Sequence, residues 1–115
     1  MNIEDLRSYC LSFLNVTEEL PFGPDNLVFK VHGKMFLLLD LESRPLQFNV
    51  KCDPEYAQQL RETYPDCVFP AYHMNKRHWN TIVSGPELSY AMTRSFIEDS
   101  YRLVVSGLPK KYREA

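Results

Sequence analysis

Residues 72–81, Tyr-His-Met-Asn-Lys-Arg-His-Trp-Asn-Thr, gather two histidines, two fixed cations, two amides and the only tryptophan of the chain into ten positions. Such side chains donate to phosphates, carboxylates or the edges of bases, and few of them can pack a core. Acidic residues are absent from Cys67 to Pro86, so the local field is positive although the whole chain carries a formal charge of −2. A short basic stretch flanked by aromatic rings suits an anionic or nucleic-acid partner.

Each member of the block has a plainer reading beside the functional one. Lys76 and Arg77 point to opposite faces if they lie on a strand and can converge only in a loop. As a pair they would neutralise phosphates, Arg77 with a bidentate fork and Lys76 as a point charge; the alternative is two solvated cations. Tyr72 and Trp79 offer rings for stacking, although a lone tryptophan more often anchors a core or interface. Asn75 and Asn80 have the chemistry to read base edges, but asparagines at strand ends usually fix turns. His73 and His78, five positions apart, share neither a helical nor a strand face, so structural histidines are the simpler expectation.

Outside the block, Lys51 and the basic tail Lys110, Lys111 and Arg113 would extend the positive surface if the fold brings them near; otherwise they are solvated charges. No Ser-His-Asp signature, phosphate-binding loop or paired-carboxylate motif is present. The histidines lack a third and fourth ligand at metal-binding spacing. A Cys-His nucleophile is conceivable, yet cysteines beside apolar runs are usually buried and inert. The expectation is therefore no catalytic residue, no metal and no cofactor, in a binding module rather than an enzyme.

Composition narrows the setting. At 115 residues the chain has room for one domain, 1–115, and one modest core. With 44% hydrophobic and 24% charged residues it reads as globular, and its slightly acidic balance argues against indiscriminate binding of polyanions. The first residues lack the basic lead and apolar run of a secretory signal, and the longest apolar run, Met35–Leu39, is too short to span a bilayer. Three scattered cysteines, Cys10, Cys52 and Cys67, form no CxxC pair and suggest reduced thiols in the cytoplasm. In that setting Asn15-Val16-Thr17 has no meaning as a glycosylation acceptor.

These residues must be positioned by a small set of elements. Asn2 is a cap for a first helix with the stripe Ile3, Leu6, Cys10, Phe13 and Leu14, expected to end near Leu14, followed by a loop over 15–26. Leu27–Val31 and Lys34–Leu41 read as strands joined by a two-residue hairpin turn, His32-Gly33. After a turn at 42–45, Leu46–Lys51 alternates as a strand with one wet face. Asp53 with Pro54 opens a second helix that Tyr64-Pro65 closes. Two further strands are expected within 66–71 and 78–84. The last helix should open at Gly85-Pro86-Glu87, run to Val105 or Ser106 with a broad apolar side, and stop at Gly107. The order α-β-β-β-α-β-β-α implies an α+β two-layer sandwich, a mostly antiparallel five-stranded sheet with helices on one face.

Register carries one more inference. A tight turn at His32-Gly33 sets Lys30 opposite Met35 and Phe29 opposite Phe36. The turn at 42–45 then pairs Leu37 and Leu39 with Val50 and Phe48, as core, and Phe36 and Leu38 with Lys51 and Asn49. Phe29, Lys34, Phe36, Gln47, Asn49 and Lys51 would share the opposite face, where aromatic and polar groups together suit single-stranded bases. Alternatively loops or a dimer partner cover that face, and one residue of slippage removes the pattern.

The 72–81 block also resembles the signature of the MmcQ/YjbR family of small bacterial proteins. The likeness extends through Pro21-Phe22-Gly23, Val28-Phe29-Lys30-Val31, Gly33-Lys34-Met35-Phe36, Asn49-Val50-Lys51-Cys52-Asp53-Pro54, Ser100-Tyr101 and Leu108-Pro109-Lys110-Lys111. What the resemblance implies is a two-layer α/β domain with what is described as a double-wing DNA-binding motif. The resulting expectation is a cytoplasmic module that binds DNA or another polyanion through 72–81, with Lys51 and the C-terminal lysines. The alternative is a protein-interaction or homodimer module with an anion- or carboxylate-binding pocket. Neither involves a membrane.

Overall fold

A capping box starts the chain: Asn2 Oδ1 accepts from the Asp5 amide (2.8 Å) and Asp5 Oδ2 accepts from the Asn2 amide (3.1 Å). The helix that follows, α1 (Ile3–Leu11), buries Leu6 and Cys10. The computed structural model describes residues 1–113. Its further elements are β1 (Val16–Glu19), β2 (Asn26–Val31), β3 (Lys34–Asp40), β4 (Gln47–Lys51), α2 (Pro54–Thr63), β5 (Val68–Pro70), β6 (Trp79–Val83), α3 (Tyr90–Ser106) and α4 (Lys110–Arg113).

The sheet has six strands in the order β1-β2-β3-β4-β6-β5, and every neighbouring pair is antiparallel. The expected count of five is therefore one short. The missing strand, β1, lies inside the segment read as a loop over 15–26. α1 ends at Leu11 rather than near Leu14, and Asn15, with φ +63°, swings the chain back into β1. Val-Thr-Glu-Glu carries almost no apolar signal, because an edge strand needs to bury little. Arg7 of α1 clamps it, donating Nε and a second nitrogen to the two oxygens of Glu18 (2.9 and 2.5 Å).

The hairpin turn forms as expected. His32 (φ +47°) and Gly33 (φ +80°) both lie in the left-handed region that a tight antiparallel turn requires. Lys30 pairs with Met35, but a bulge between Phe29 and Lys30 shifts the ladder, so Phe29 faces Leu37 rather than Phe36. The pairings Leu37–Val50, Leu38–Asn49 and Leu39–Phe48 then hold. The bulge sends both Phe36 and Leu37 inward. Phe29 and Phe36 are fully buried in the core with Phe48, not part of an exposed face. Full burial of such a side chain contributes about 1.5–3 kcal/mol each.

The helices lie against the face that carries Leu37, Leu39, Phe48, Val50 and Ile82. α2 begins as expected, with Asp53 accepting from the Tyr56 amide (3.2 Å) and Pro54 at the first position. α3 begins later than expected. Residues 85–88 form a turn closed by Leu88 N–H to the Gly85 carbonyl (3.1 Å), and Ser89 caps the helix by accepting from the Met92 amide (3.1 Å). Gly85 serves close approach: a Cβ there would lie 2.8 Å from Cys67 Sγ. Ser100 of α3 bonds the sheet directly, accepting from the Lys51 amide (2.8 Å) and donating to the Phe36 carbonyl.

Candidate functional site

Alternating strand directions bring the ends of β2 and β4 and the starts of β3 and β6 to one end of the sheet. All six lysines of the chain belong to that end. Lys30 and Lys34 flank the β2–β3 turn, Lys51 closes β4, and Lys76 precedes β6. Lys110 and Lys111 lie on α4, which docks on the turn through Tyr112 stacked on His32 (centroids 4.6 Å apart). The C-terminal lysines are thus ordered on a short helix, across β4 from the 72–78 loop. Lys30 is bridged to Glu19 (2.9 Å). Among the described residues, Lys34, Lys51, Lys76 and Arg77 have no carboxylate within ion-pair distance.

The 72–78 loop is shaped from within and held from α2. Asn75 Oδ1 accepts from the Arg77 amide (3.0 Å), and the Asn75 carbonyl accepts from the amides of His78 (3.1 Å) and Trp79 (2.9 Å). This is the side-chain-to-backbone turn that asparagine favours. The His78 carbonyl accepts from the Cys52 amide (2.7 Å), tying the loop to the end of β4. Arg61, in the last turn of α2, donates Nε to Asn80 Oδ1 (2.7 Å) and a second nitrogen to the carbonyls of Lys76 and Trp79 (3.4 Å to the latter). Sequence reasoning missed Arg61. The one available signal is its place four residues after buried Ala57, on a helical stripe where an unpaired cation would be out of place.

Asn80 is the site residue that the structure moves elsewhere. It is 1% exposed, faces α2, and donates to the Ala57 carbonyl (3.4 Å) while accepting from Arg61. It braces the loop from beneath and reads nothing on the surface. The other members lie where a ligand can reach them. Tyr72, His73, Asn75, Lys76 and Arg77 are exposed, and His78 and Trp79 are half-buried. Lys76 Nζ stands 5.2 Å from the centroid of the Tyr72 ring, a cation–π pair.

The face of the sheet opposite the helices carries two hollows. The larger, about 610 Å³, is walled by Phe22 from the β1–β2 loop and by Met74, Asn75 and Trp79 from the block, over a floor of Met35 and Leu38. That size is in the usual range for ligand pockets. A second hollow of about 320 Å³ adjoins it, lined by Gln47, Asn49, Phe69, Tyr72 and Thr81, and His73 borders both. Met74 is drawn over the sheet by Asn49, whose Nδ2 donates to its sulfur (3.4 Å) while Asn49 Oδ1 accepts from the Thr81 hydroxyl (2.6 Å). Directly paired residues share a face, so Lys51 opposite Trp79 and Lys30 opposite Met35 stand on the groove side. Of the exposed face expected from register, Gln47, Asn49 and Lys51 are present. Phe22, Trp79, Tyr72 and Phe69 supply the rings in place of Phe29 and Phe36.

The thiols are held neutral. Burial pushes Cys10 up to about 12 and Cys52 up to about 11. Cys67 is pushed up to about 11 by burial and by the Glu87 carboxylate, to which its sulfur is bonded at 3.0 Å. Among the described residues no three His, Cys, Asp or Glu side chains are grouped to hold a metal, and no helix is long and apolar enough to cross a membrane.

A family model described as YjbR matches residues 11–103 of the chain. Escherichia coli O157:H7 has a relative, the uncharacterized protein YbdF, 46% identical over 92 residues that cover 79% of this chain and 74% of that protein. The uncharacterized protein YjbR of Escherichia coli K12 is 29% identical over 115 residues, covering 99% of this chain and 96% of its own length. Among solved structures, Deinococcus radiodurans protein DR2400, with a DUF419 domain, superposes with a TM-score of 0.92 at 34% identity, over 98% of this chain and 86% of that one. A Pseudomonas syringae protein gives a TM-score of 0.72 at 30% identity, over 90% of this chain and 98% of that one.

Proposed function

This chain belongs to the YjbR family, and we propose that it is a non-enzymatic nucleic-acid-binding module whose contact surface is the lysine-rich end of the sheet. The observation that carries the reading is the gathering of all six lysines at one end of a chain whose net charge is −2. Around the ends of β3, β4 and β6, Lys34, Lys51, Lys76 and Arg77 have no carboxylate within ion-pair distance among the described residues, and phosphates are ligands such an arrangement attracts. Asn75, held by its own turn, and Tyr72 with its cation–π partner give that surface shape. Three cysteines held as neutral thiols, without a disulfide, suit a reducing compartment and support a cytoplasmic location.

A second reading is favoured by the exposed apolar side chains Leu14, Leu20 and Phe22 on the β1 side of the molecule. There the same surface is a protein-interaction or homodimer module, and the cations hold a carboxylate of the partner. Fluorescence anisotropy with labelled mixed-sequence DNA at low salt separates the two. Wild type should bind, Lys76→Glu with Arg77→Glu should abolish binding, and Arg44→Glu, at the opposite end of the sheet, should leave it unchanged. A wild type that binds no nucleic acid, or equal loss in both variants, would overturn the nucleic-acid reading.

A further inference from the structure

Resting on the nucleic-acid reading, we infer that the groove between Phe22 and Trp79 is a nucleobase site, and that the preferred ligand is single-stranded. The groove combines flat rings with soft apolar surface: Phe22 and Trp79 as walls, Met35, Leu38 and Met74 beneath and beside them. Base faces stack on such surfaces regardless of sequence. Polar groups sit where a base edge would project. Asn75 has its Oδ1 committed to the Arg77 amide, which leaves its amide N–H groups to donate. Asn26, also at the groove, makes no side-chain hydrogen bond among the described residues.

Charge marks the occupant. Lys51 stands opposite Trp79 in the ladder and on the same face, and Lys76 and Arg77 rise from the adjoining loop, so a strand stacked in the groove would bring its phosphates to unpaired cations. Phe22 is 67% exposed, so its ring is open to a ligand lying in the groove. A duplex offers no such fit, since its bases are stacked and paired inside the helix.

Trp79 is the chain's only tryptophan, so its emission reports directly on the groove. The test titrates the full chain with thymine and adenine oligonucleotides as DNA and as RNA, with an abasic strand of equal length, and with a duplex. Single strands should bind more tightly than duplex or abasic strand and should alone change Trp79 emission. The DNA and RNA arms tell which sugar is preferred. Phe22→Ala, at a solvent-exposed position that leaves the core untouched, should weaken single-strand binding roughly 5- to 150-fold and leave abasic binding unchanged. Duplex or abasic strand bound as tightly as single strand, or single-strand binding insensitive to Phe22→Ala, would overturn the inference while leaving nucleic-acid binding intact. If none of the probes binds at low salt, the parent reading falls with it.

Discussion

Arg61 and Asn80 form the brace on which the candidate site stands: the Arg61 Nε–H donates to Asn80 Oδ1 at 2.7 Å, beneath the loop whose carbonyls Arg61 also caps. Neither side chain presents itself to a ligand, yet together they set where Lys76, Arg77 and Trp79 stand. Removing one partner leaves the other's polar atoms short of a bond in a part-buried place, which costs roughly 1–3 kcal/mol. Arg61→Ala and Asn80→Ala should each destabilise the fold by about that much, and the double variant by clearly less than their sum. Urea denaturation of the four proteins measures this. Additive losses would mean that the two residues act independently.

Phe36 distinguishes the bulged register from the regular one. A regular ladder puts Phe36 on the solvated face, where truncation would cost little. With the bulge at Phe29/Lys30 its ring is fully buried, edge-on to Tyr101 (centroids 5.4 Å apart). Phe36→Ala should therefore destabilise by about 3–5 kcal/mol. A loss below about 1 kcal/mol in chemical denaturation would return Phe36 to the surface.

The clamp between Arg7 and Glu18 gives the acid limb of stability a named contributor. The hydrogen bond from Arg7 holds the Glu18 carboxyl below its ordinary value of 4.5, although partial burial opposes this. A carboxylate depressed in the folded state stabilises above its unfolded pKa, and that stabilisation is lost as pH falls through the folded one. Wild type should thus exceed Glu18→Gln in stability at neutral pH, with the difference shrinking as pH drops below about 4.5 towards the depressed value. Denaturation midpoints for both proteins across that window are the measurement. A difference independent of pH would show that the clamp works through packing rather than charge.

Where local chemistry decides structure, the residues are legible: the box of Asn2 and Asp5, the left-handed pair His32-Gly33, Asp53 before Pro54, and the alternation over Gln47–Lys51. What escapes is decided by partners remote in sequence. β1 has strand pairing and the Arg7 clamp in place of apolar alternation. The bulge at Phe29/Lys30 has no signature among uniformly β-forming residues, and so Phe29 and Phe36 read as surface. The start of α3 lies at Ser89, which caps the helix after the turn closed between Leu88 and Gly85. For the site, the type and spacing of 72–81 reveal the block but not the direction of Asn80. Nor do they reveal Phe22, Met35 and Leu38, which reach the groove from other elements.

The central claim, that the lysine-rich end binds phosphates, is tested most directly by salt dependence. Each neutralised phosphate of a single strand releases counterions, so the logarithm of affinity falls by about 0.7 per contact for each tenfold rise in salt. Lys51→Ala, Lys76→Ala and Arg77→Ala combined should lower that slope by roughly two, with an unchanged circular dichroism spectrum. A slope identical to that of wild type, or no binding by wild type at the lowest salt, would contradict the account.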